Sequence, residues 1–492
     1  MPAKGALMSI DASAFGPQSF KTQISFMETI TAVDWAVFIG CIILTGLSVI
    51  FGQRLKWRNA SKDINEEESF LDLLIMGRQL TLPLFVASLV ATWYGGIFGV
   101  TQIAFESGIF NFLTQGVFWY LTYIIFAVFL VRKIRNFKSV SLPGLVGEMF
   151  GPNSKKVASI FNFFNCVPVA YVLSMGLFFQ ALFGGDLTFN MLIGLSIVFA
   201  YSFLGGFRAD VFSDFVQFFI MCSSVAIVAL LSYSHFGGLE FLKASLPSSH
   251  FEWMGGHSLS QTLVWGLIAL ATLVDPNFYQ RCFAARSEKI AKVGILASTL
   301  IWIGFDICTT AGGLYARAVI PQTESGLSYM TYSLQLLPPG MRGFFLAGIF
   351  ATIASTLDSF LLIASTSLSF DLFSKSGRAG KFWNHISLIG VSLLSLILAS
   401  HFNGSIKSIW KTFGSYAAAC LLLPVMLGYI FPRKISDFQF CAASLAGALC
   451  VSIWRLSERR GFWADVDEIY IGILATGLVL AVTAFKPKHH TT

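Results

Sequence analysis

Apolar residues run along most of this chain in segments of membrane-spanning length, with short polar stretches between them. A transmembrane helix needs about 20 consecutive, predominantly apolar residues. Thirteen segments approach that length, at residues 34–52, 82–105, 110–131, 157–183, 187–204, 210–234, 259–275, 294–318, 343–373, 384–401, 405–431, 438–455 and 467–485. The pattern predicts an all-α polytopic membrane protein with about 13 transmembrane helices and no soluble domain.

The ninth segment carries a regular row of hydroxyl groups. Four of its side chains lie at positions i, i+3, i+4 and i+7 and therefore share one helical face; they are Thr352, Ser355, Thr356 and Ser359. Asp358 lies beside them, and an ionisable residue in mid-membrane usually marks an ion site, a cavity or a partner. Because hard cations take oxygen ligands, the row predicts a Na⁺ site. The alternative is that the hydroxyls bond back to carbonyls of their own helix.

The second segment contains glycines near its middle, in the run ATWYGGIFG at residues 91–99. Gly95, Gly96 and Gly99 weaken the helix there. An interrupted membrane helix exposes backbone carbonyls to an ion or a solute. Close packing against a neighbouring helix is the other interpretation.

A cytoplasmic turn followed by acidic residues precedes the sixth segment, in the run GGFRADVFSDFVQ. Asp210, Asp214 and Gln217 share one face of the following helix. We expect Asp210 at the interface, paired with Arg208. Asp214 is expected about one turn deeper, where a carboxylate indicates a function.

Composition and charge support a membrane protein of defined orientation. Of 492 residues, 55% are hydrophobic and 12% are charged, whereas a soluble domain has about 25% charged residues. With the N-terminus outside and the C-terminus inside, 23 of the 33 basic residues fall in cytoplasmic segments, as the positive-inside rule requires. This bias explains the net charge of +7 without a nucleic-acid partner. We expect an extracytoplasmic tail at 1–33, one transmembrane domain at 34–485 and a cytoplasmic tail at 486–492.

Three motifs resemble the sodium/solute symporter family in the family's own order. GGFRADVFSDFVQ resembles its GG-x-x-A-x-x-x-T/S-D-x-x-Q segment, TIASTLDS resembles its A-A-x-x-S-T/S-x-x-S helix, and DPNFYQRCFAARSEKIAKVG resembles its Q-R-x-x-A-A-K/R turn. The resemblance implies a LeuT-like core of two inverted five-helix repeats, at about 82–234 and 259–431. It also implies sodium-coupled import of a small organic solute by alternating access across the plasma (inner) membrane, with a monomer as a plausible functional unit.

The resemblance also implies ligands for the coupling ion. Carried over by matched position, a shared Na⁺ site uses backbone carbonyls near Ala91 and Tyr94 on the broken helix. On the ninth segment it uses the carbonyl of Thr352 and the hydroxyls of Ser355 and Thr356. Thr352 stands where the family usually has alanine, which does no harm if only its carbonyl binds.

The resemblance also implies a second Na⁺ site, which is present in only some family members. It pairs Asp214 with Ser359 and with Thr356 or Asp358. Because a carboxylate can also exchange a proton, proton-coupled symport stays open as an alternative.

The solute contacts are expected beside the broken helix. Trp93 and Tyr94, followed by Phe98 and Gln102, are candidates to line a central pocket. The TWYGG run resembles the TW-x-GG of the high-affinity choline transporters in this family, so an aromatic cage for a quaternary ammonium is one alternative. Proline, pantothenate, monocarboxylates and sugars stay open.

Other functions are less well supported. An enzyme would need clustered histidines, a metal set or a nucleophile with a base, but the histidines fall in loops, helix ends or the tail, at positions 235, 250, 257, 385, 401, 489 and 490. No organic cofactor is expected. A transporter-like solute sensor is a further alternative, although no signalling domain is attached. Asp275, Arg281 and Arg286 lie at an inner turn, either as a gate pair or as solvated charges.

Overall fold

Helices make up nearly all of the described structure, as the apolar segments predict. The computed structural model describes residues 20–21, 26–59, 66–402, 405–461, 463 and 466–484. Most of the expected tail at 1–33 and all of the tail at 486–492 lie outside these residues. Within them the chain forms helices and no strand, because a lipid-embedded backbone must satisfy its polar groups internally.

The first half of the chain begins with two short helices around a long one and then enters the first predicted repeat. In chain order the helices are α1 Phe26–Thr29, α2 Ala32–Asn59, α3 Glu66–Ile75, α4 Leu82–Ala91, α5 Ile97–Ser107, α6 Phe118–Ile125, α7 Val131–Arg135, α8 Leu142–Phe150, α9 Pro152–Cys166, α10 Val169–Phe183 and α11 Leu187–Phe236. Helix α11 turns sharply at Gly206, whose φ of 56° suits glycine. The expected GG turn is therefore present.

The second half contains the second predicted repeat and two further helices. In chain order these are α12 Leu239–Ser245, α13 Leu259–Leu270, α14 Pro276–Ala284, α15 Glu288–Val319, α16 Ser328–Leu336, α17 Met341–Thr366, α18 Gly377–His401, α19 Ile406–Ala417, α20 Leu423–Ile430, α21 Asp437–Leu456 and α22 Glu468–Ala484. Short 3₁₀ or π-helical segments connect or extend several of them, at Met76–Arg78, Phe112–Val117, Phe126–Leu130, Ser248–Phe251, Ala271–Val274, Ser367–Leu372 and Ala418–Leu422.

Ten helical segments of the described chain are long and apolar enough to cross a membrane. Three shorter apolar helices, Leu82–Ala91, Leu187–Phe203 and Glu468–Thr483, coincide with the remaining predicted segments. Each of the thirteen predicted segments therefore contains helix. The number of crossings and the sides of the termini stay predictions.

The helix with the hydroxyl row lies at the centre of the molecule. The apolar stretch within Met341–Leu372 is entirely buried, whereas few residues of the apolar stretch within Ala32–Leu55 are buried. Helix α17 packs against α11, α2, α10 and α4. A helix buried on all sides places its polar face against other helices rather than against lipid.

Two helices are interrupted in mid-course, one at the start of each predicted repeat. Helices α4 and α5 are separated by the turn from Thr92 to Gly96. Helices α13 and α14 are separated by a 3₁₀ turn and by Asp275, whose Oδ1 accepts hydrogen bonds from the backbone nitrogens of Asn277 and Phe278. This carboxylate satisfies free N–H groups at the start of α14.

Helix α14 corrects the expectation of a solvated turn after residue 275. All nine of its residues are buried. Its end is held by backbone bonds, from Leu80 N to Ala284 O at 2.9 Å and from Arg286 N to Leu80 O at 3.1 Å. The polar residues of this segment suggested a solvated loop, because the residues that they contact are distant in sequence and could not be seen from the local pattern. In the structure, α14 is buried and packs against α4.

Candidate functional site

The hydroxyl row of α17 faces the broken helix. Its four members are fully buried: Thr352, Ser355, Thr356 and Ser359. Ser355 and Thr356 contact Ala91 of α4, and Ser359 contacts Asp210 of α11. The face predicted from their spacing is therefore the face that meets the interruption between α4 and α5.

Four oxygen atoms come together where α17 meets the end of α4. The Ser355 Oγ lies 2.8 Å from the Ala91 carbonyl oxygen and 3.3 Å from that of Thr352. The Thr356 Oγ1 lies 3.1 Å from the Thr352 carbonyl oxygen and 3.4 Å from that of Ala91. These four uncharged oxygens are joined by hydrogen bonds, and Ser355 Oγ also donates to Ala351 O of its own helix at 2.8 Å, as the alternative interpretation expects. All four are oxygen atoms, the ligand type that hard cations take.

The neighbouring residues determine which atoms are available. The Thr352 hydroxyl donates to Gly348 O of its own helix at 2.6 Å, so Thr352 offers only its carbonyl to this region. A Cβ on Gly95 would lie 2.6 Å from the Thr356 Cβ, so only glycine allows the broken helix to approach this closely. The Tyr94 hydroxyl points away, donating to Asp306 Oδ1 at 2.5 Å, and the role of the Tyr94 carbonyl stays a prediction.

A second polar cluster lies one turn further along α17, and an arginine sits at its centre. The Nη2 of Arg281 lies close to four oxygens, at 2.5 Å from Thr92 Oγ1, 3.0 Å from Ser359 Oγ, 3.4 Å from Asp210 Oδ2 and 3.5 Å from Asp214 Oδ2. Arg281 has no exposed surface. The expected alternative of a solvated charge is therefore wrong for Arg281, because α14 carries it into the core.

Both carboxylates of this cluster are buried. Asp214 Oδ2 accepts a hydrogen bond from Ser88 at 2.7 Å, and its Oδ1 is buried without a partner among the described residues. Asp210 accepts from Ser359 at 2.6 Å. The expected pairing of Asp210 with Arg208 is absent, since Arg208 instead forms an ion pair with Asp72 at 2.6 Å.

Asp358 lies outside both clusters. It accepts a hydrogen bond from Ser202 in the first part of α11, and its other oxygen is buried without a partner in the described part of the chain. Asp358 is one residue from Ser359, so about 100° of helical rotation separates the two side chains. Of the residues predicted for a second ion site, Asp214 and Ser359 therefore come together and Asp358 bonds elsewhere.

A cavity of about 160 Å³ opens beside the interruption of α4 and α5. This volume is below the 300–1,000 Å³ usual for drug-sized ligands, so it suits a small solute. Aromatic side chains dominate its wall. They include Trp93, Tyr94, Trp119, Tyr171, Trp265 and Trp410. The polar groups are few, and they are Gln115, Asn165, Thr272 and Asp275.

A glycine allows one tryptophan to close over the broken helix. A Cβ on Gly96 would lie 1.9 Å from Cζ2 of Trp410, a contact that no side chain tolerates. The glycine pair in TWYGG therefore serves two close approaches as well as the break, since Gly95 faces Thr356 and Gly96 faces Trp410.

Two of the four residues predicted to contact solute do not line this cavity. Trp93 and Tyr94 do line it, as do Gly96 and Val100 on the cavity side of α5. Phe98 is buried in the core, and Gln102 donates to Glu106 at 2.8 Å and to Ser325 at 3.1 Å. Because Phe98 and Gln102 are offset by two residues from Gly96 and Val100, they face another side of the helix.

Asp306 holds the aromatic residue of the break in position. Its two oxygens accept hydrogen bonds from the hydroxyls of Tyr94 and Tyr120, and the ring of Tyr94 lies 4.2 Å from that of Phe305. Asp306 therefore joins two tyrosines from different segments of the chain.

Comparison with known proteins decides the family. The model of a family described as "Sodium:solute symporter family" matches residues 74–437, which is most of the chain. The chain belongs to this family. Among curated relatives of the symporter, the high-affinity proline transporter PutP of Bacillus subtilis is 27% identical over 72% of this chain and 79% of its own. A sodium/proline symporter of Staphylococcus aureus is 24% identical over 65% of this chain and 67% of its own.

Solved structures agree on the fold of the symporter. A Na⁺-coupled sialic acid symporter in a substrate-bound outward-open state matches with a TM-score of 0.73, at 16% identity over 92% of this chain and 97% of that one. MhsT in complex with L-phenylalanine matches with a TM-score of 0.51, at 12% identity over 82% and 98% of the two chains. Both are LeuT-fold transporters, so the predicted fold is confirmed.

The family settles the general function. The chain is a sodium-coupled symporter for a small organic solute and a multi-pass integral membrane protein, as the sequence predicted. It is a transporter and not an enzyme. The expected location in the plasma membrane agrees with its relatives.

Proposed function

We propose that this symporter imports a small solute bearing a substituted ammonium group, coupled to Na⁺ held by Ala91, Thr352, Ser355 and Thr356. The carbonyls belong to Ala91 and Thr352, and the hydroxyls belong to Ser355 and Thr356. A neutral donor set suits a transported ion, because it binds Na⁺ weakly enough to release it into a cytoplasm poor in Na⁺. The four oxygen–oxygen distances of 2.8 to 3.4 Å between α4 and α17 support this assignment.

The single observation that carries the solute class is the wall of the cavity. Tryptophan faces attract cations, with about 0.5–2 kcal/mol for each favourable contact. Four tryptophans line the cavity, and Asp275 is its one carboxylate. No lysine or arginine of the described residues lines it. An ammonium group therefore finds partners there, whereas the carboxylate of an amino acid finds no cationic side chain.

The proline transporters among the relatives define the nearest competing solute. Proline carries a secondary ammonium group that can pair with Asp275, and it carries a carboxylate for which the described lining offers no cationic side chain. A solute with a quaternary ammonium and no carboxylate, such as choline, needs no such partner. We expect the symporter to prefer the quaternary ammonium.

Two sets of contacts between helices are candidate gates for alternating access. Arg135 donates to three carbonyls around the end of α14, those of Cys282, Phe283 and Ala285. Lys407 and Glu106, the latter near the end of α5, form an ion pair at 2.5 Å. With the orientation favoured by the positive-inside rule, α14 closes the cytoplasmic side.

Uptake into proteoliposomes tests the solute class. Labelled choline and labelled proline are compared with and without an inward Na⁺ gradient. We expect Na⁺-stimulated choline uptake that excess unlabelled proline does not suppress. Na⁺-stimulated proline uptake that choline does not inhibit would contradict the proposed solute, and uptake driven only by a proton gradient would contradict the coupling ion.

Asp275→Asn tests the carboxylate. Loss of a hydrogen bond or ion contact to a charged group costs about 1.5–3 kcal/mol, so the half-saturating choline concentration should rise roughly 10- to 150-fold. Asp186→Asn is the matched control, because Asp186 also caps a helix, accepting from Phe189 N at 2.9 Å, and does not line the cavity. Asparagine caps helices as well as aspartate does, so the control should transport normally. If both variants raised the half-saturating choline concentration equally, the effect of Asp275→Asn would be attributed to loss of helix capping rather than to loss of a solute contact.

A further inference from the structure

The residues implied for a second sodium ion surround a side chain of the protein itself. Arg281 Nη2 lies within 3.5 Å of Ser359 Oγ and Asp214 Oδ2, the two residues of the predicted site that come together. Thr92 and Asp210 complete a set of four oxygens around this nitrogen. Two hydroxyls and two carboxylates around one positive group are the surroundings expected of a bound cation.

The guanidinium is held firmly in this position. Its Nε donates to Ser88 Oγ at 3.1 Å, and the guanidinium lies over the ring of Phe207 at 5.5 Å. Because Arg281 has no exposed surface, its charge is compensated only by protein groups. Buried ion pairs are stabilised by further hydrogen bonds. Asp210 accepts one from Ser359 and Asp214 Oδ2 accepts one from Ser88, whereas Asp214 Oδ1 has no partner among the described residues.

A sodium ion bound to the same oxygens would be placed beside this nitrogen. Two positive charges within a few ångströms repel strongly in a buried site, where the effective dielectric constant is low. The four oxygens nearest Nη2 cannot all serve both cations. The residues present therefore do not fit a second Na⁺ while α14 is in this position.

We propose that the guanidinium of Arg281 takes the place of the second Na⁺, so that each transport cycle of this chain carries one Na⁺. The identity of the first ion site rests on the function proposed above, but the occupancy of the second cluster does not. Because Arg281 is covalently part of α14, its charge stays with the protein and contributes nothing to the driving force. The descent of one Na⁺ per cycle, rather than two, then limits solute accumulation.

The position of α14 links the occupancy of the second cluster by Arg281 to the state that is closed on the cytoplasmic side. Arg281 lies in the helix whose end is held by Arg135 and by the backbone bonds of Leu80. If the end of α14 moves to open a path to the cytoplasm, Arg281 must withdraw from Asp210 and Asp214. The single positive charge of Arg281 therefore offsets one of the two negative charges of Asp210 and Asp214 whenever this side is closed.

Direct binding of ²²Na⁺ to the purified full-length protein counts the sites. We expect one saturable Na⁺ per chain in the wild type and two in Arg281→Gln, because the vacated oxygens regain a cation. Arg281→Lys is the matched control, since it keeps a positive charge and should keep the count at one. Adding Asp214→Asn to Arg281→Gln should return the count to one. Two ions in the wild type, falling to one with Asp214→Asn, would overturn the proposal.

A charge-balanced variant provides a second test in case Arg281→Gln alone does not fold. Asp210→Asn combined with Arg281→Gln removes one charge of each sign and leaves Asp214, Ser359 and Thr92 as ligands. We expect this double variant also to bind two Na⁺. A count of one in this variant, when it elutes as a monodisperse species, would equally overturn the proposal.

A further combination separates this inference from the first ion site. In Arg281→Gln carrying Ser355→Ala and Thr356→Val, we expect one Na⁺ per chain, bound at the second cluster. Zero ions in that variant would refute the role of Arg281. If Ser355→Ala and Thr356→Val alone leave the wild-type count unchanged, the first assignment fails while the second remains measurable.

Discussion

Removing the hydroxyls that face Ala91 should weaken the activation of transport by sodium. Ser355→Ala deletes an oxygen that lies 2.8 Å from Ala91 O and 3.3 Å from Thr352 O. Thr356→Val deletes an oxygen 3.1 Å from Thr352 O and keeps the shape of the side chain. Both positions are fully buried, so water has no ready path to replace the lost ligand.

The size of the effect follows from the loss of one ligand to a charged ion. Such a contact contributes about 1.5–3 kcal/mol, and each 1.4 kcal/mol is a factor of ten, so either variant should raise the half-saturating Na⁺ concentration roughly 10- to 150-fold. The two oxygens share the same ion and the same carbonyls, so the loss of Na⁺ affinity in the double variant should differ from the sum of the losses in the two single variants. We expect it to show no Na⁺ stimulation within the usable concentration range.

The assay is initial uptake of the transported solute into proteoliposomes at varied external Na⁺. Thr352→Val is the matched control on the same helical face. Its hydroxyl donates to Gly348 O at 2.6 Å, and only its carbonyl belongs to the assigned site, so this variant should keep the wild-type Na⁺ dependence. An equal loss in all three variants would indicate general damage to α17. Unchanged Na⁺ stimulation in the double variant would refute the reasoning.

Two further variants test the packing around the broken helix. Gly96→Ala places a Cβ 1.9 Å from Trp410, and displacing a cation–π contact of about 0.5–2 kcal/mol should raise the half-saturating solute concentration roughly 2- to 30-fold. Gly304→Ala, whose Cβ meets nothing within 4 Å, should leave it unchanged. Asp306→Asn presents an amide donor where two tyrosine hydroxyls donate, so it should destabilise the protein by about 1–3 kcal/mol. A lower thermal midpoint in detergent measures this loss, and an unchanged midpoint would contradict it.

Much of the sodium site could be predicted because it depends on local periodicity. Hydroxyls at i, i+3, i+4 and i+7 share a face in any α-helix, so their grouping on α17 follows from spacing alone. The glycine pair likewise marked the interruption at which Ala91 ends its helix. What the spacing could not provide is the contact partner, since Ser355 and Ala91 are 264 residues apart.

The surroundings of the solute could be predicted only in part. Trp93 and Tyr94 were recognised because they adjoin the break in the same segment. Trp119, Trp265 and Trp410 come from three other helices, and aromatic residues make up 15% of the chain, so no local signal singled them out. The rotation of α5 decides that Val100 rather than Phe98 reaches the cavity, and neighbouring helices determine that rotation.

The sequence by itself determined the class of protein, the helical segments and the polar face of α17. These features depend on the free energy of moving each segment from water into lipid and on the period of the α-helix, both of which are local properties. Only the tertiary structure decided that Arg281 is buried. Its partners Asp214 and Ser88 are 67 and 193 residues away in sequence. A charge near a predicted loop is normally solvated, and burial becomes favourable only when several distant helices supply oxygens around it at once.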